Sequence, residues 1–250
     1  MVEVEEHDGF SWIWMSRPER RNALSLEHLL ALRDAFVAVG ASDARGVVLA
    51  GRGPVFSAGH DFRDVVDADL GEVRTLLDAC VDLCTTMQSI PQPVVARVHG
   101  LATAAGFQLV ATADLAVAGE SAGFAVPGGK GGWFCHTPMV AVGRAVGRKQ
   151  AVELAFTGDV IDAHTALGWG VVNQVVPDAA LDAAVIALLE RSTRGSAASK
   201  ALGKQTLYRQ LGLDQADAYA VAAEAMAASS QHPDAREGMR AFIEKRHPDF

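Results

Sequence analysis

A chain of 250 residues that is 50% hydrophobic and 21% charged has the apolar material for a sizeable core and lies far from the composition of disordered chains; at roughly 150 residues per domain it makes one main domain with an appendage. Its formal net charge of -8, from 22 Lys and Arg against 30 Asp and Glu, argues against a broad basic surface for nucleic acid. Apolar stretches such as Gly100 to Ala113 stop at Asp114, short of the roughly 18 uninterrupted residues of a membrane helix.

The opening MVEVEEHDG is acidic and has neither the basic start nor the apolar run of a secretory or organellar address, so a cytoplasmic protein is expected. Val2 and Val4, then Phe10, Trp12 and Trp14, alternate on either side of Asp8-Gly9, which predicts a hairpin. Ser25 is placed to cap a helix carrying Leu26, Leu29, Leu30 and Phe36. Short β-branched runs then alternate with helical stretches: Val47 to Ala50, Val94 to Val98, Leu115 to Ala118 and Val171 to Val176 are the strands expected. That alternation argues for an α/β architecture.

Cys80 and Cys84 stand four apart in a helical pattern and Cys135 is alone; without a further His or Cys pair they read as small buried residues, and no metal site is expected. After Pro177 the pattern is helical almost throughout, with Asp178 or Asp182, Ser196, Asp214 and Asp234 available as caps. Residues 1–195 are taken as the core and 196–250 as a helical oligomerisation region, because Ala216 to Ala228 is apolar on more than one side.

Two segments share a spacing. VVLAGRGPVFSAG runs from Val47 to Gly59 and VVARVHGLATAAG from Val94 to Gly106; each is a Val-Val strand followed by Gly in a run of small residues. Both read as strand, glycine-containing loop, then helix, where the first amides of the helix have no internal partner. Brought side by side, two such junctions would make a two-donor oxyanion hole. Spacing alone equally fits small residues that only permit tight packing.

The segments SRPERRNALS (Ser16 to Ser25), VFSAGHDF (Val55 to Phe62), PQPVVARVHGLATAAGFQLVATADLAVA (Pro91 to Ala118), AVGRKQAVELAFTGDVIDAHTALGWGVVNQVVP (Ala145 to Pro177) and REGMRAFIEKR (Arg236 to Arg246) resemble, in order and over essentially the whole chain, the enoyl-CoA hydratase/isomerase (crotonase) superfamily. The resemblance implies an α/β spiral of ββα units with a C-terminal helical trimerisation region, assembled as a homotrimer or a dimer of trimers. It implies an acyl-CoA or enoyl-CoA substrate, with coenzyme A entering as part of that substrate and no prosthetic group. The oxyanion donors it implies are the amides of His60 and Ala105, and the His60 imidazole is a candidate wall of the pocket. Arg21, Ala23, Leu24, Ala58 and Asp61 would border the coenzyme, with Arg20 and Arg246 as local cations, while Phe242 and Lys245 would approach the nucleotide of a neighbouring subunit.

Hydration of an enoyl thioester needs a base for water and an acid for the α-carbon, commonly two carboxylates. By the same resemblance the first stands three residues after the oxyanion alanine, here Gln108, and the second follows Pro127, here Gly128. Neither is a carboxylate, so ordinary hydratase activity is in doubt, each such group being worth about 10² to 10⁴ in rate. Gln108 is left to orient a water or the acyl group. His136 and Cys135 are the nearest replacements, with His136 just ahead of a helix start at Thr137-Pro138, and Asp61 is either a remaining acid or the cap of a turn. The combination GHDF, GLATAAGFQL and PG followed by FCHTP is most similar to the enoyl-CoA hydratase domain-containing subgroup, which also lacks the two acids. Three functions remain: an acyl-CoA-processing enzyme, a non-catalytic acyl-CoA binding or carrier protein, and a purely structural partner subunit, in which the glycine junctions would have no evident purpose.

Overall fold

The computed structural model describes all residues 1–250. Strands β1 (Val2–His7) and β2 (Phe10–Met15) form the expected hairpin, with His7 opposite Phe10 and both turn residues at positive φ, Asp8 at 53° and Gly9 at 78°, as a two-residue turn of this hand requires. Ser25 caps α1 (Leu26–Gly40) by accepting from the His28 amide. Then follow β3 (Gly46–Gly51), α2 (Leu70–Ser89), β4 (Val94–Val98), β5 (Leu101–Thr103), α3 (Ala105–Thr112), β6 (Leu115–Gly119) and β7 (Gly123–Ala125). Helices α4 (Pro138–Ala145) and α5 (Arg148–Thr157), strand β8 (Ile161–Asp162), α6 (Ala163–Trp169), β9 (Gln174–Val176) and α7 (Leu181–Ser192) complete the core. Three helices end the chain: α8 (Ala197–Gln210), α9 (Gln215–Ser229) and α10 (Pro233–Glu244).

The main sheet runs β1-β2-β3-β4-β6-β9 and a second runs β5-β7-β8. Only the β1-β2 and β7-β8 pairs are antiparallel. Alternation along the strands divides the core in two. Phe10, Trp12, Trp14, Val48 and Ala50 face α7 through Val185 and Leu189, while Ile13, Met15, Val47 and Leu49 face α1, α2 and α3. A sheet buried on both faces holds the strand ends rigidly, and loops at those ends make the site.

Three expectations are corrected: to begin with, neither Asp178 nor Asp182 caps α7, which starts after Ala180 without a side-chain cap. The strand expected from Val171 is confined to Gln174–Val176, because Gly170 ends α6 in the left-handed conformation and the Val171 amide turns back to the Ala166 carbonyl. Asp234 does not cap α10; His232 does, accepting from the Asp234 amide, and the Asp234 carboxylate instead accepts from the Ser196 hydroxyl at 2.5 Å. Ser196 and Asp214 cap α8 and α9 as expected. The first of these helices is pinned to the core by Asp114, which receives Lys204 Nζ, the Tyr208 hydroxyl and the Val94 amide, each at 2.7 Å. No helix is long and apolar enough to cross a membrane.

Candidate active site

The two glycine junctions meet, and a single asparagine organises the meeting. Asn22 is fully buried in the left-handed conformation, φ 52°, which Asn tolerates better than most residues. Its Nδ2 donates to the carbonyls of Arg52, Val55 and Phe56 at 2.9 to 3.0 Å, and its Oδ1 accepts from the Arg17 amide at 2.9 Å. Its own carbonyl accepts from Ser57 Oγ, and that oxygen accepts from the Gly59 amide. The chain from 52 to 59 is thereby tied to the 20–24 turn. On its other side the Phe56 amide donates to Leu101 and the Thr103 amide to Ser57, so β5 runs beside it.

Both glycines are required by this close approach. A Cβ on Gly59, where φ is +84°, would lie 2.9 Å from Ala104 Cβ and 3.1 Å from the Ala105 nitrogen; one on Gly106 would lie 2.5 Å from the Ser57 carbonyl oxygen. The amides of His60 and Ala105 therefore stand at adjoining ends of two touching segments, and neither donates to any acceptor in the protein. Ala105 opens α3 after Ala104, which sits at φ 49°, ψ -118°. Such a conformation in a residue other than glycine is strained by about 1 to 3 kcal/mol and persists only where its surroundings impose it.

Beside these amides opens a cavity of about 470 Å³. Ala58, His60, Gly128 and His136, all expected at the site, line it, together with Ala104, Phe62, Leu77, Trp133, Phe134 and Lys130. No Asp or Glu is among its lining residues. Phe62, Trp133 and Leu77 carry the apolar walls and were not anticipated; Trp133 in the GGWF segment was the available signal. Burial drives the His60 imidazole below the ordinary histidine range and raises the Cys135 thiol. Both ring nitrogens of His60 are buried without a hydrogen bond of ordinary geometry, although the Leu24 carbonyl approaches the ring.

Not every expected residue faces the cavity, and those that border it are constrained by the fold. Gln108 is 4% exposed and does not line the cavity: its Nε2 contacts Cys84 Sγ at 3.4 Å and its Oε1 the Cys80 thiol at 3.9 Å, because α2 covers that side of α3. Gly128 lines the cavity but is closed to substitution, since a Cβ there would stand 2.2 Å from the Trp133 carbonyl oxygen and 2.7 Å from Cys135 Sγ. Asp61 caps the following turn through the Arg63 amide and pairs with Arg20 at 3.4 Å. Thr137 precedes Pro138 at the start of α4, but its side chain makes no cap. Arg21 and Ala58 are exposed and joined through the backbone, and Leu24 is buried with its amide on the Gly59 carbonyl; Ala23 holds His28 Nδ1 at 3.0 Å. Phe242, 85% exposed, and Lys245, at the exposed end of α10, do not reach the cavity of their own chain.

A family model described as Enoyl-CoA hydratase/isomerase matches residues 5–250. The chain is 41% identical over 250 residues to the mouse (Mus musculus) protein named enoyl-CoA hydratase domain-containing protein 3, mitochondrial, with 99% of this chain and 83% of that protein covered. Two solved structures superpose with TM-score 0.95: an enoyl-CoA hydratase of Mycobacterium smegmatis, 42% identical with 99% and 98% of the two chains covered, and human enoyl-CoA hydratase domain-containing protein 3, 38% identical with 100% and 99% covered. The crotonase-like α/β fold with its C-terminal helices and the likeness to the domain-containing subgroup, both expected from the motifs, are borne out.

Proposed function

The chain belongs to the enoyl-CoA hydratase/isomerase family, and on that basis we propose that it binds an acyl group carried as a thioester on coenzyme A and polarises the thioester carbonyl with the His60 and Ala105 amides. The observation carrying this reading is the pair of unengaged amides at the touching junctions, beside an apolar cavity. Helix-start and loop amides with no internal acceptor are available to a ligand, and donors fixed before the reaction stabilise a developing oxyanion without reorganisation. Coenzyme A is part of the substrate here, and no prosthetic group is needed. Arg21, exposed on the turn whose carbonyl accepts the amide of the cavity-lining Ala58, supplies a cation for its phosphates.

Ordinary hydration is not the activity proposed. With Gln108 held between two thiols and Gly128 closed by the Trp133 loop, no carboxylate is available to activate water. The same absence of Asp and Glu from the cavity wall favours a second reading, a binding or carrier protein that retains the acyl-CoA pocket without turnover. Assembly as a homotrimer or a dimer of trimers through residues 196–250 is part of the proposal; the exposed Tyr219, Met226, Phe242 and Ile243 of α9 and α10 support it, and Phe242 and Lys245 would then meet the nucleotide bound by a neighbour. The proposed location is cytoplasmic.

Calorimetric titration of the purified protein with free CoA, butanoyl-CoA and trans-2-butenoyl-CoA tests the reading. Both thioesters should bind more tightly than CoA, whose contacts lack the carbonyl. Equal affinity for all three would remove the role given to the amides. Loss of enoyl absorbance on the butenoyl thioester separates turnover from carriage.

A further inference from the structure

Resting on the acyl-CoA reading, we propose that the His60 imidazole is the base that removes the α-proton of a bound acyl thioester, so that this site carries out proton exchange at the α-carbon in place of two-carboxylate hydration. Several observations converge on it. His60 lines the cavity and also supplies one of the two free amides, so its ring lies within one side chain's length of a carbonyl oxygen held there. Both ring nitrogens are buried without a hydrogen bond of ordinary geometry, the Leu24 carbonyl approaching the ring without completing one, and a buried polar group so placed is rare enough in folded proteins to call for a partner. The ring is held beside Trp133, with centroids 6.1 Å apart, and Trp133 in turn packs edge-on to Phe62 at 6.1 Å.

Other groups of the cavity are engaged or unsuited. Lys130 pairs with Asp159 at 2.5 Å, the Cys135 thiol is raised by burial, and His136 is exposed, its ring 5.0 Å from that of Phe134. Charged and titratable groups facing His60 are Asp64 in the turn after it, the Asp61 and Arg20 pair behind, and Lys130, Cys135 and His136 across the cavity. Burial outweighs both the Leu24 carbonyl and the Asp64 charge, which favour the protonated ring, and holds the imidazole below the ordinary histidine range, so the neutral form that a base requires prevails at neutral pH.

In the step itself the bond from Cα to hydrogen breaks and the proton passes to an imidazole nitrogen. The electron pair moves into the bond between Cα and the carbonyl carbon, and the carbonyl π pair moves onto oxygen, where the two amides receive it. Return of a proton from the imidazolium regenerates the thioester, and no oxidant or second substrate is consumed.

The test is deuterium incorporation at the α-carbon of butanoyl-CoA in D2O, followed by mass spectrometry, with calorimetric binding measured in parallel. Wild type should incorporate deuterium, at a rate that rises with pH and levels off below the ordinary histidine value of about 6.5. His60→Gln should bind the thioester comparably but lose at least about 100-fold in exchange. His60→Ala should recover part of the rate with added imidazole, and His164→Gln, on the exposed face of α6 and outside the cavity lining, should exchange like wild type. The pH profile needs no variant and so stands even if a substitution unfolds the protein. Binding by wild type without exchange, a smaller loss in His60→Gln, or a rate that still rises well above pH 7 would overturn the assignment alone. No binding by wild type would remove the acyl-CoA reading and this assignment with it.

Discussion

Replacement of Asn22 by Ala is the sharpest test of how this site is held. Asn22 makes four hydrogen bonds from full burial, three from Nδ2 to the carbonyls of Arg52, Val55 and Phe56 and one from the Arg17 amide to Oδ1. Nδ2 carries only two hydrogens, so at least one of its contacts is shared, and the side chain contributes three to four bonds at about 1 kcal/mol each. Alanine at φ 52° adds about 1 kcal/mol of backbone cost relative to a residue that tolerates the left-handed region. The sum is a loss of about 4 to 5 kcal/mol, a large fraction of the roughly 5 to 15 kcal/mol typical of a folded protein. Urea denaturation at fixed protein concentration would measure it, since assembly makes apparent stability depend on concentration. Asn22→Asp keeps the size but turns acceptors toward three carbonyls, and should be no better than Ala. Near its reduced midpoint, the Ala variant should also lose acyl-CoA affinity before it unfolds, because the 52–59 segment carries the His60 amide. A stability loss below about 1 kcal/mol would refute the view that this side chain ties the two junctions together.

Gly59→Ala should weaken butanoyl-CoA binding more than tenfold, about 1.4 kcal/mol, because its Cβ would press on Ala104 Cβ at 2.9 Å and the Ala105 nitrogen at 3.1 Å; unchanged affinity by calorimetry would show that the junction tolerates separation. Gly128→Ala should destabilise by about 1 to 3 kcal/mol through overpacking against the Trp133 carbonyl, and an unaltered denaturation midpoint would show the 128–135 loop to be free to move. His28, buried and depressed to about 4 from an ordinary 6.5, is neutral in the fold and protonated on unfolding at lower pH. The stability it contributes is therefore fully present above pH 6.5 and lost as pH falls through about 4, amounting to about 3 kcal/mol; His28→Gln should flatten the stability profile over that window relative to wild type, and parallel profiles would contradict the assignment.

What the sequence made legible follows from how local each determinant is. The Asp8-Gly9 hairpin, the Ser25 cap and the strands at Val47, Val94 and Leu115 depend on neighbours a few residues away, and they stand where they were expected. The paired glycine junctions were visible as a repeated spacing, but tight packing and ligand donation could not be separated there. In the fold they are one fact, since the close contact that requires glycine is also what sets the two amides together. Asn22 was hidden because its importance lies in carbonyls 30 to 34 residues further along the chain. The capping box of Asp69 and Glu72 on α2 is equally local, its two members three residues apart. Gln108 was misjudged for a different reason: helical spacing gives its direction around α3 but not which helix lies over it, and that helix is α2 with Cys80 and Cys84.

The two positions without carboxylates are not vacancies in a hydratase. At 108 the amide is enclosed between two thiols, one of them raised well above the usual range, so a carboxylate there would be buried with no cation beside it and would take up a proton instead of accepting one from water. At 128 the backbone itself fills the space, the Gly128 carbonyl accepting the Trp133 amide at 3.0 Å while the Trp133 carbonyl closes over the α-carbon. A Gln108→Glu, Gly128→Glu double variant should therefore fail to hydrate trans-2-butenoyl-CoA and should lose stability. Robust hydration by that variant would mean that the Trp133 loop opens and α3 turns its residues to the cavity, which the packing of α2 and the 128–133 turn forbids. The loop that shuts out the second acid is also the one that brings Trp133 against His60. The closure that removes one chemistry from the cavity thus builds the wall on which the other depends.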